Sequence, residues 1–275
     1  MLTRRELLSS AVLAGAAPLL AKKSSLKIGV TDWNLRMSGK VEAVELAARL
    51  GFEGVEVSLG RKVEGDKLPL DDAGIQQRYL AAVKQHKIAV AGTCLDVLHV
   101  NYLKSDKLAL KWIAAGIPIT KTLNAKVMLL PSFGKGALEA KDLDYVGDAL
   151  RELAPAAEKA GVLLALENTL SAQDNVKIME RSRSKAVKVY YDVGNSTYAG
   201  FKPVDEIPWL GASRIAQIHL KDKGYLGEGQ IDFPAVMKRI MELGFHGFAN
   251  LETSSPKSVD EDMKRNLKFV RGLMA

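Results

Sequence analysis

The amino-acid sequence predicts an α/β protein built as a single closed (β/α)8 barrel and preceded by an export signal. Three observations lead to this prediction: the length and composition of the chain, a regular alternation of apolar runs with amphipathic segments, and the order of residues at its start. The chain has 275 residues, of which 47% are hydrophobic and 26% charged. This composition is too well mixed for disorder, and the length suits one barrel of about 250 residues.

The first 21 residues have the order of a secretory signal. Arg4 and Arg5 are adjacent and precede a weakly hydrophobic Ala/Leu/Val stretch that ends in small residues. This order is similar to a twin-arginine-type signal peptide, whose export route carries folded proteins. We predict a signal over residues 1–21, a barrel over 22–275, and a periplasmic or otherwise exported protein with no stable membrane insertion after cleavage.

Eight apolar runs mark the predicted strands. Several are nearly unbroken, which is typical of parallel strands covered on both faces. Strand followed by helix, repeated eight times, closes most naturally into a (β/α)8 barrel. The predicted strands are residues 26–31, 54–58, 88–93, 126–131, 162–168, 187–193, 215–221 and 247–253.

Eight segments with helical spacing lie between and after these runs. Gly51 and Gly244 are expected to end helices in a left-handed conformation, and Asp72 and Asp232 to cap helix N-termini. Pro118 predicts that segment 106–125 breaks into two helical pieces. The predicted helices are 41–50, 72–86, 106–115, 143–160, 172–184, a short stretch before Leu210, 233–243 and 259–273.

The composition narrows the classes of partner. A single cysteine, Cys94, excludes an internal disulfide, so stability depends on packing or on a bound ligand. The net charge is +7, but acidic and basic residues are interleaved, and the densest basic stretch, 181–185, is interpreted as a solvated helix end. Nucleic acid is therefore not a predicted partner, while homo-oligomer formation is left open.

The last four predicted strands end in side chains that can bind a metal ion. These are Glu167, Asp192, His219 and Glu252, separated by 25, 27 and 33 residues, each about one strand-helix unit. Such residues converge at the C-terminal mouth of a barrel, where three acids would repel one another unless a cation lay among them. We predict one divalent ion there, with Mn²⁺, Co²⁺, Mg²⁺, Fe²⁺ and Zn²⁺ all possible. The first four strands show no comparable set.

The same segments resemble a known family. The sequences LKIGVTDWNL, ALENTL and YYDVGNSTYAG, and the stretch from Gln217 to Glu252 with its G-E-G-x-I-D-F run, are similar to the xylose-isomerase-like TIM-barrel family of sugar phosphate isomerases and epimerases. The resemblance implies that Glu167, Asp192, His219 and Glu252 are metal ligands. It also implies that Glu167 and Glu252 act as opposed acid/base groups on a small carbohydrate or keto-sugar, through an enediolate.

The sequence departs from ketose epimerases of this family at three positions. Asn195 stands where they commonly have His, Gln173 where they have Glu, and Tyr225 where they have Arg. The resemblance implies that all three positions touch the substrate. The sugar, and the choice between epimerisation and isomerisation, therefore stay open.

Other residues are weaker candidates for substrate binding. Lys221 either holds a substrate oxygen or is a solvated lysine paired with Asp222. Glu56 is more readily interpreted as part of a surface ion pair than as a site residue. For the remaining candidates, the alternative role is to form hydrogen bonds with loop backbone or to pack in the core. These candidates are Asn168, Asn195, Trp33, Phe133 and His99.

Three other functions compete with an isomerase or epimerase. The same metal chemistry would serve a lyase or hydrolase of 3-keto-glycosides, which eliminates a β-leaving group. A non-catalytic sugar-binding barrel is the second, but binding alone needs no pair of opposed bases. An abasic-site endonuclease shares the fold but needs several metals and many histidines, and this chain has four histidines.

Overall fold

The computed structural model describes residues 25–275 and has the predicted architecture. Eight parallel strands pair in chain order, and β1 closes the barrel by pairing with β8. The predicted signal over residues 1–21 lies outside the described residues. The strands are β1 Ser25–Thr31, β2 Gly54–Ser58, β3 Ala89–Cys94, β4 Val127–Pro131, β5 Leu163–Glu167, β6 Val187–Asp192, β7 Ile215–Leu220 and β8 His246–Leu251.

Helices surround the barrel and confirm the predicted alternation. One short helix that we did not predict, α6, follows β6 directly. None of the described helices is long and apolar enough to cross a membrane. The helices are α1 Glu42–Leu50, α2 Ala73–His86, α3 Lys107–Thr122, α4 Leu143–Ala160, α5 Ala172–Ser182, α6 Val193–Tyr198, α7 Pro203–Leu210, α8 Phe233–Glu242 and α9 Val259–Gly272, with 3₁₀ turns at Asp96–His99, Gly134–Gly136 and Ala140–Asp142.

The helix ends follow the predicted local chemistry. Asp72 accepts a hydrogen bond from the backbone N–H of Ile75 at 2.7 Å, and Asp232 accepts one from Ala235 at 3.0 Å. Gly51 ends α1 with φ 96°, a left-handed conformation that glycine adopts without steric cost.

The predicted break at Pro118 is wrong, because α3 runs through it as one helix. A proline in a helix leaves the carbonyl four residues earlier without its partner. That carbonyl belongs to Ala114, and both Ala114 and Pro118 lie on the exposed face, where water can satisfy it. The opposite face, with Trp112 and Ile113, packs in the core and keeps the helix continuous.

The barrel has two buried layers. A large apolar cluster fills the space between the sheet and the helices, and a small one, including Leu129, Ala165 and Ala216, lies inside the barrel. Polar side chains also lie in the barrel interior, and the side chain of Asn250 fits there because the residue facing it is a glycine. A Cβ on Gly29 would lie 2.0 Å from Asn250 Oδ1, so no other residue fits there while Asn250 keeps its place.

Candidate metal centre

Four side chains from successive strands meet at the C-terminal mouth of the barrel. Glu167 and Asp192 are the last residues of β5 and β6, His219 is near the end of β7, and Glu252 follows β8. Each offers one ligand atom, and these atoms all lie within 4.8 Å of one another. The parallel register, which pairs Asp192 with His219, brings the strand ends together. The sequence prediction that these residues converge is confirmed.

The imidazole of His219 lies among the three carboxylates. Its Nδ1 is 2.8 Å from Glu167 Oε1, 3.7 Å from Glu252 Oε2 and 3.9 Å from Asp192 Oδ2. The side chains of His219 and Asp192 are fully buried, whereas that of Glu252 is 17% exposed. Glu252 is therefore the member of the group that faces the mouth.

Asp192 has one carboxylate oxygen that is available to bind a metal ion. Its Oδ1 accepts a hydrogen bond from the backbone N–H of Asn195 at 2.8 Å and so caps α6. Its Oδ2 is buried and accepts no hydrogen bond from the described part of the chain. The Lys221 ammonium is 3.6 Å from this oxygen, too far for a hydrogen bond, so a closer cation would stabilise the buried carboxylate. Three carboxylates and one imidazole around this oxygen fit a single divalent metal ion.

The pKa values of these residues reflect the crowding of negative charge at the site. Burial, together with the charges of Glu252 and Glu167, raises the pKa of Asp192 well above its usual range. Burial opposes the charged form of His219, but Glu167, Glu252 and Glu56 outweigh it and raise the pKa of the imidazole. Against its own burial, His219 and Lys221 lower the pKa of Glu252 to about 2. Protons and Lys221 thus compensate part of the negative charge that a dication would neutralise.

The interpretation of Glu56 as part of a surface ion pair is wrong. Position 56 of β2 points into the barrel, where its side chain is 0% exposed. Its Oε2 lies 2.8 Å from His219 Nε2 and accepts a hydrogen bond from Tyr190 Oη at 2.8 Å. Asn250 Nδ2 donates to the same Tyr190 oxygen at 2.8 Å. A carboxylate on the outer nitrogen of a ligating histidine fixes the ring, so that Nδ1 faces the other ligands.

Both oxygens of Glu252 are held by neighbouring donors. Lys221 Nζ donates to Oε2 at 2.8 Å, and Trp33 Nε1 donates to Oε1 at 3.0 Å. The alternative of a solvated Lys221 paired with Asp222 is therefore wrong. Asp222 instead accepts a hydrogen bond from Tyr198 Oη at 2.9 Å. Burial would lower the pKa of Lys221, but Glu252 and Asp192 together raise it, so the ammonium stays charged.

The structure brings some of the weaker candidates to the site and leaves others away from it. Asn195 lines the cavity, and its Nδ2 is 3.5 Å from Glu167 Oε1. His99 lines it too, with its ring stacked on Phe133 at 6.4 Å between centroids. Asn168 turns away and donates to Asn175 Oδ1 at 2.9 Å, while its own Oδ1 accepts from the backbone N–H of Leu170. This position matches the alternative role of Asn168, in which its side chain forms hydrogen bonds with the loop backbone.

Two of the three departures from ketose epimerases lie away from the cavity. Gln173 is exposed on α5. Tyr225 donates to Asp262 at 2.8 Å, and the Arg265 guanidinium lies over its ring. Neither residue lines the cavity, so of the three positions that the resemblance placed on the substrate only Asn195 lies there.

We call Glu167, Asp192, His219 and Glu252 the metal group. The cavity above it has a volume of about 760 Å³. Sequence reasoning missed two polar residues on its far wall, Ser58 at the end of β2 and Asp96 just after β3. The signal was present in the sequence, since both are polar residues that terminate an apolar run. Neither belongs to a recognisable set of metal ligands, so the sequence alone does not single them out. The residues that line the cavity are Trp33, Ser38, Ser58, Gly60, Arg61, Lys62, Glu64, Pro69, Cys94, Asp96, His99, Pro131, Phe133, Glu167, Asn195, Lys221 and Glu252.

Comparison with known proteins gives a consistent result. A family model described as "Xylose isomerase-like TIM barrel" matches residues 44–273. The chain is 27% identical over 202 residues to a 2-epi-5-epi-valiolone 7-phosphate 2-epimerase of Actinoplanes sp., covering 71% of this chain and 72% of the relative.

Two solved structures are also similar to the chain. One is a D-psicose 3-epimerase with D-tagatose from Clostridium cellulolyticum, with TM-score 0.75, 18% identity and coverage of 90% of this chain and 99% of the other. The other is a 3-keto-D-glucoside 4-epimerase from E. coli, with TM-score 0.72, 16% identity and coverage of 90% and 99%. At such low identity the likeness concerns the fold.

Proposed function

Since the chain belongs to the xylose isomerase-like TIM-barrel family, we propose that it is a divalent-metal-dependent isomerase or epimerase of a small carbohydrate or keto-sugar. One observation carries the proposal. Glu167, Asp192, His219 and Glu252 place their ligand atoms within 4.8 Å of one another at the end of an open cavity. The relative that acts on a valiolone phosphate and the neighbouring epimerase structures support the same class of reaction.

The proposed chemistry begins with removal of a proton from carbon. Glu167 and Glu252 come from β5 and from the end of β8, so they border the reacting end of the cavity from different strands. One glutamate removes the proton from the carbon next to the substrate carbonyl, which gives an enediolate. The other returns a proton to the opposite face of that carbon, and the carbon is inverted. Return to the neighbouring carbon instead gives the aldose or ketose isomer.

The surrounding residues orient these bases. Trp33 and Lys221 each hold one oxygen of Glu252, so its carboxylate has a fixed direction. Asn195 stands beside Glu167 and is available to donate to a substrate oxygen. A divalent ion, when bound, supplies positive charge for the substrate oxygens on which negative charge develops. Glu56 and Tyr190 keep the imidazole of His219 in place from the other side.

A second function, a lyase or hydrolase of 3-keto-glycosides, uses the same bases. Removal of the proton next to the 3-keto group would be followed by loss of the leaving group on the β-carbon. The cavity volume of about 760 Å³ favours a substrate larger than a single hexose. The similar fold of a 3-keto-D-glucoside 4-epimerase supports a keto-glycoside as substrate class. A non-catalytic sugar-binding barrel accounts less well for two opposed glutamates.

The cellular location belongs to the same proposal. A twin-arginine-type signal over residues 1–21 would export the folded protein, and a metal loaded before export would travel with it. An exported enzyme would encounter glycosides more readily than sugar phosphates.

The experiment that tests the proposed function follows deuterium uptake from D₂O into the substrate by NMR. Manganese-loaded protein is incubated with D-fructose, D-fructose 6-phosphate and methyl 3-keto-glucopyranoside, with chelator-treated protein as reference. We expect uptake at the carbon next to a carbonyl in at least one compound, and release of methanol only if elimination follows. Absence of uptake in all three would contradict the proposal.

A pair of variants ties that exchange to the site. Glu252→Gln removes a base at the mouth and should lower the exchange rate at least 100-fold, since positioned acid/base groups contribute about 10²- to 10⁴-fold. Glu45→Gln, on the exposed face of α1, is the matched control and should exchange at the wild-type rate. Equal rates for both variants would remove Glu252 from the mechanism.

A further inference from the structure

We propose that the far wall of the cavity, formed by Ser58, Asp96, His99 and Phe133, is a subsite for a second sugar ring, so that the preferred substrate is a keto-glycoside larger than a monosaccharide. This inference rests on the proposed function and deepens it. It assigns a role to the ends of β2 and β3, the 3₁₀ turn Asp96–His99 and the loop after β4, none of which carries the reacting groups.

The size of the cavity is the first argument. A volume of about 760 Å³ lies well inside the range of pockets that bury most of a drug-sized ligand, about 300–1,000 Å³. Glu167, Glu252, Lys221 and Asn195 belong to strands β5 to β8 or to the segments that directly follow them. The ends of β2 and β3 lie across the closed barrel from those of β6 and β7, so a ligand that also contacts this wall extends across the mouth.

The Asp96 carboxylate is built into that wall in a fixed orientation. Ser58 Oγ donates to Asp96 Oδ2 at 2.5 Å, and the same hydroxyl accepts from the backbone N–H of Gly60 at 3.2 Å. Ser58 is only 3% exposed, so its hydroxyl has little freedom to turn. A carboxylate held through one oxygen keeps further lone pairs for hydroxyl donors, which sugars supply in plenty.

The aromatic groups complete a surface suited to a sugar ring. His99 and Phe133 stack with an angle of 28° between their planes, and both line the cavity. Burial lowers the pKa of His99, so at neutral pH the ring is an uncharged polar surface. Ligand sites of this kind combine apolar and aromatic walls with a few fixed polar groups.

The wall is separate from the four candidate metal ligands. Asp96 does not belong to that set, and burial raises its pKa despite the hydrogen bond from Ser58. Burial also holds the pKa of the neighbouring Cys94 thiol well above its usual range. The outer rim carries both signs of charge, with Arg61 and Lys62 beside Glu64. The fixed carboxylate and the aromatic surface suit recognition of a hydroxylated part of the substrate.

The test compares two ligands that differ only by the second ring: methyl 3-keto-glucopyranoside and a 3-keto-glucosyl-glucose disaccharide. The manganese-loaded protein should use the disaccharide with a higher kcat/KM. Asp96→Asn should raise KM for the disaccharide about tenfold, as expected for loss of a hydrogen bond to a charged group, with kcat unchanged. For the methyl glycoside both constants should stay within twofold.

Asp71→Asn, an exposed aspartate just before α2, is the matched control and should change neither substrate. Equal effects of Asp96→Asn on both ligands would overturn the subsite, as would a wild-type preference for the methyl glycoside. Calorimetry separates this inference from the proposed function. Tighter binding of the disaccharide without any deuterium exchange would refute the proposed chemistry alone, and exchange with equal affinities would refute the subsite alone.

Discussion

Replacing Glu56 by glutamine tests how strongly the barrel interior controls the metal centre. Glu56 Oε2 lies 2.8 Å from His219 Nε2 and also accepts hydrogen bonds from Tyr190 Oη at 2.8 Å and Asn250 Nδ2 at 3.3 Å. Its other oxygen is buried and has no hydrogen-bond partner in the described chain. Glutamine can therefore keep its carbonyl oxygen on the three donors and place its NH₂ where Oε1 lies. The substitution therefore mainly removes the negative charge beside Nε2 of His219.

The expected cost follows from that loss. Partners of metal-ligating histidines typically contribute 10- to 100-fold to metal affinity, which corresponds to about 1.4 to 2.8 kcal/mol of binding free energy. We expect Glu56→Gln to weaken Mn²⁺ binding by this factor, measured by competition with a chromogenic chelator. The metal-free variant should stay folded by circular dichroism, since the glutamine carbonyl can keep the three hydrogen bonds that Glu56 Oε2 accepts. Tyr190→Phe, which removes only one donor to Glu56, should show a smaller effect.

An unchanged manganese affinity in Glu56→Gln would refute the reasoning, because it would mean that His219 keeps its orientation without a charged partner. Loss of folding in the metal-free variant would show that Glu56 is chiefly a structural residue. Glu45→Gln serves again as the surface control.

Two further predictions concern other parts of the molecule. His219→Ala should lower the metal content of the purified protein, measured by elemental analysis, by at least half at equal protein concentration, and wild-type content would count against the site. Asp32 is buried, and burial raises its pKa well above the usual value despite backbone hydrogen bonds from Gly39 and Ser58. The folded state therefore binds its proton more tightly than the unfolded chain, so its contribution to stability is lost as the pH rises through the raised pKa. The melting temperature of Asp32→Asn relative to wild type should accordingly increase from pH 4 to pH 8, by about 2–4 °C for each 1 kcal/mol; a difference that is constant with pH would contradict this account.

The sequence predicted the barrel and the metal group because both follow from simple regularities. Apolar runs at regular intervals define the strands, and polar residues at the ends of the last four strands converge once the barrel closes. Helix α3 departed from prediction because the exposure of Ala114 and Pro118 is a tertiary property. Helix α6 was missed because its six residues are too few to show a helical period.

The position of Glu56 could not be predicted for a different reason. Its partners Tyr190 and His219 are 134 and 163 residues away in the chain, and only the closed barrel brings them together. A lone glutamate in a strand is usually a surface residue, and nothing local contradicts that interpretation. Asp96 and Ser58 likewise come together only in the folded barrel, where they lie on the same wall of the cavity.

The glycine at position 29 shows that the barrel interior and the site cannot change independently. A methyl group there would collide with Asn250, whose amide supports Tyr190, and through Tyr190 the carboxylate behind the histidine ligand. A substitution at Gly29 would therefore disturb the residues that hold the His219 ring. For protein engineering, the surface loops around the mouth are accordingly the place to vary specificity, while the inward-facing positions of the strands must be altered together or left alone.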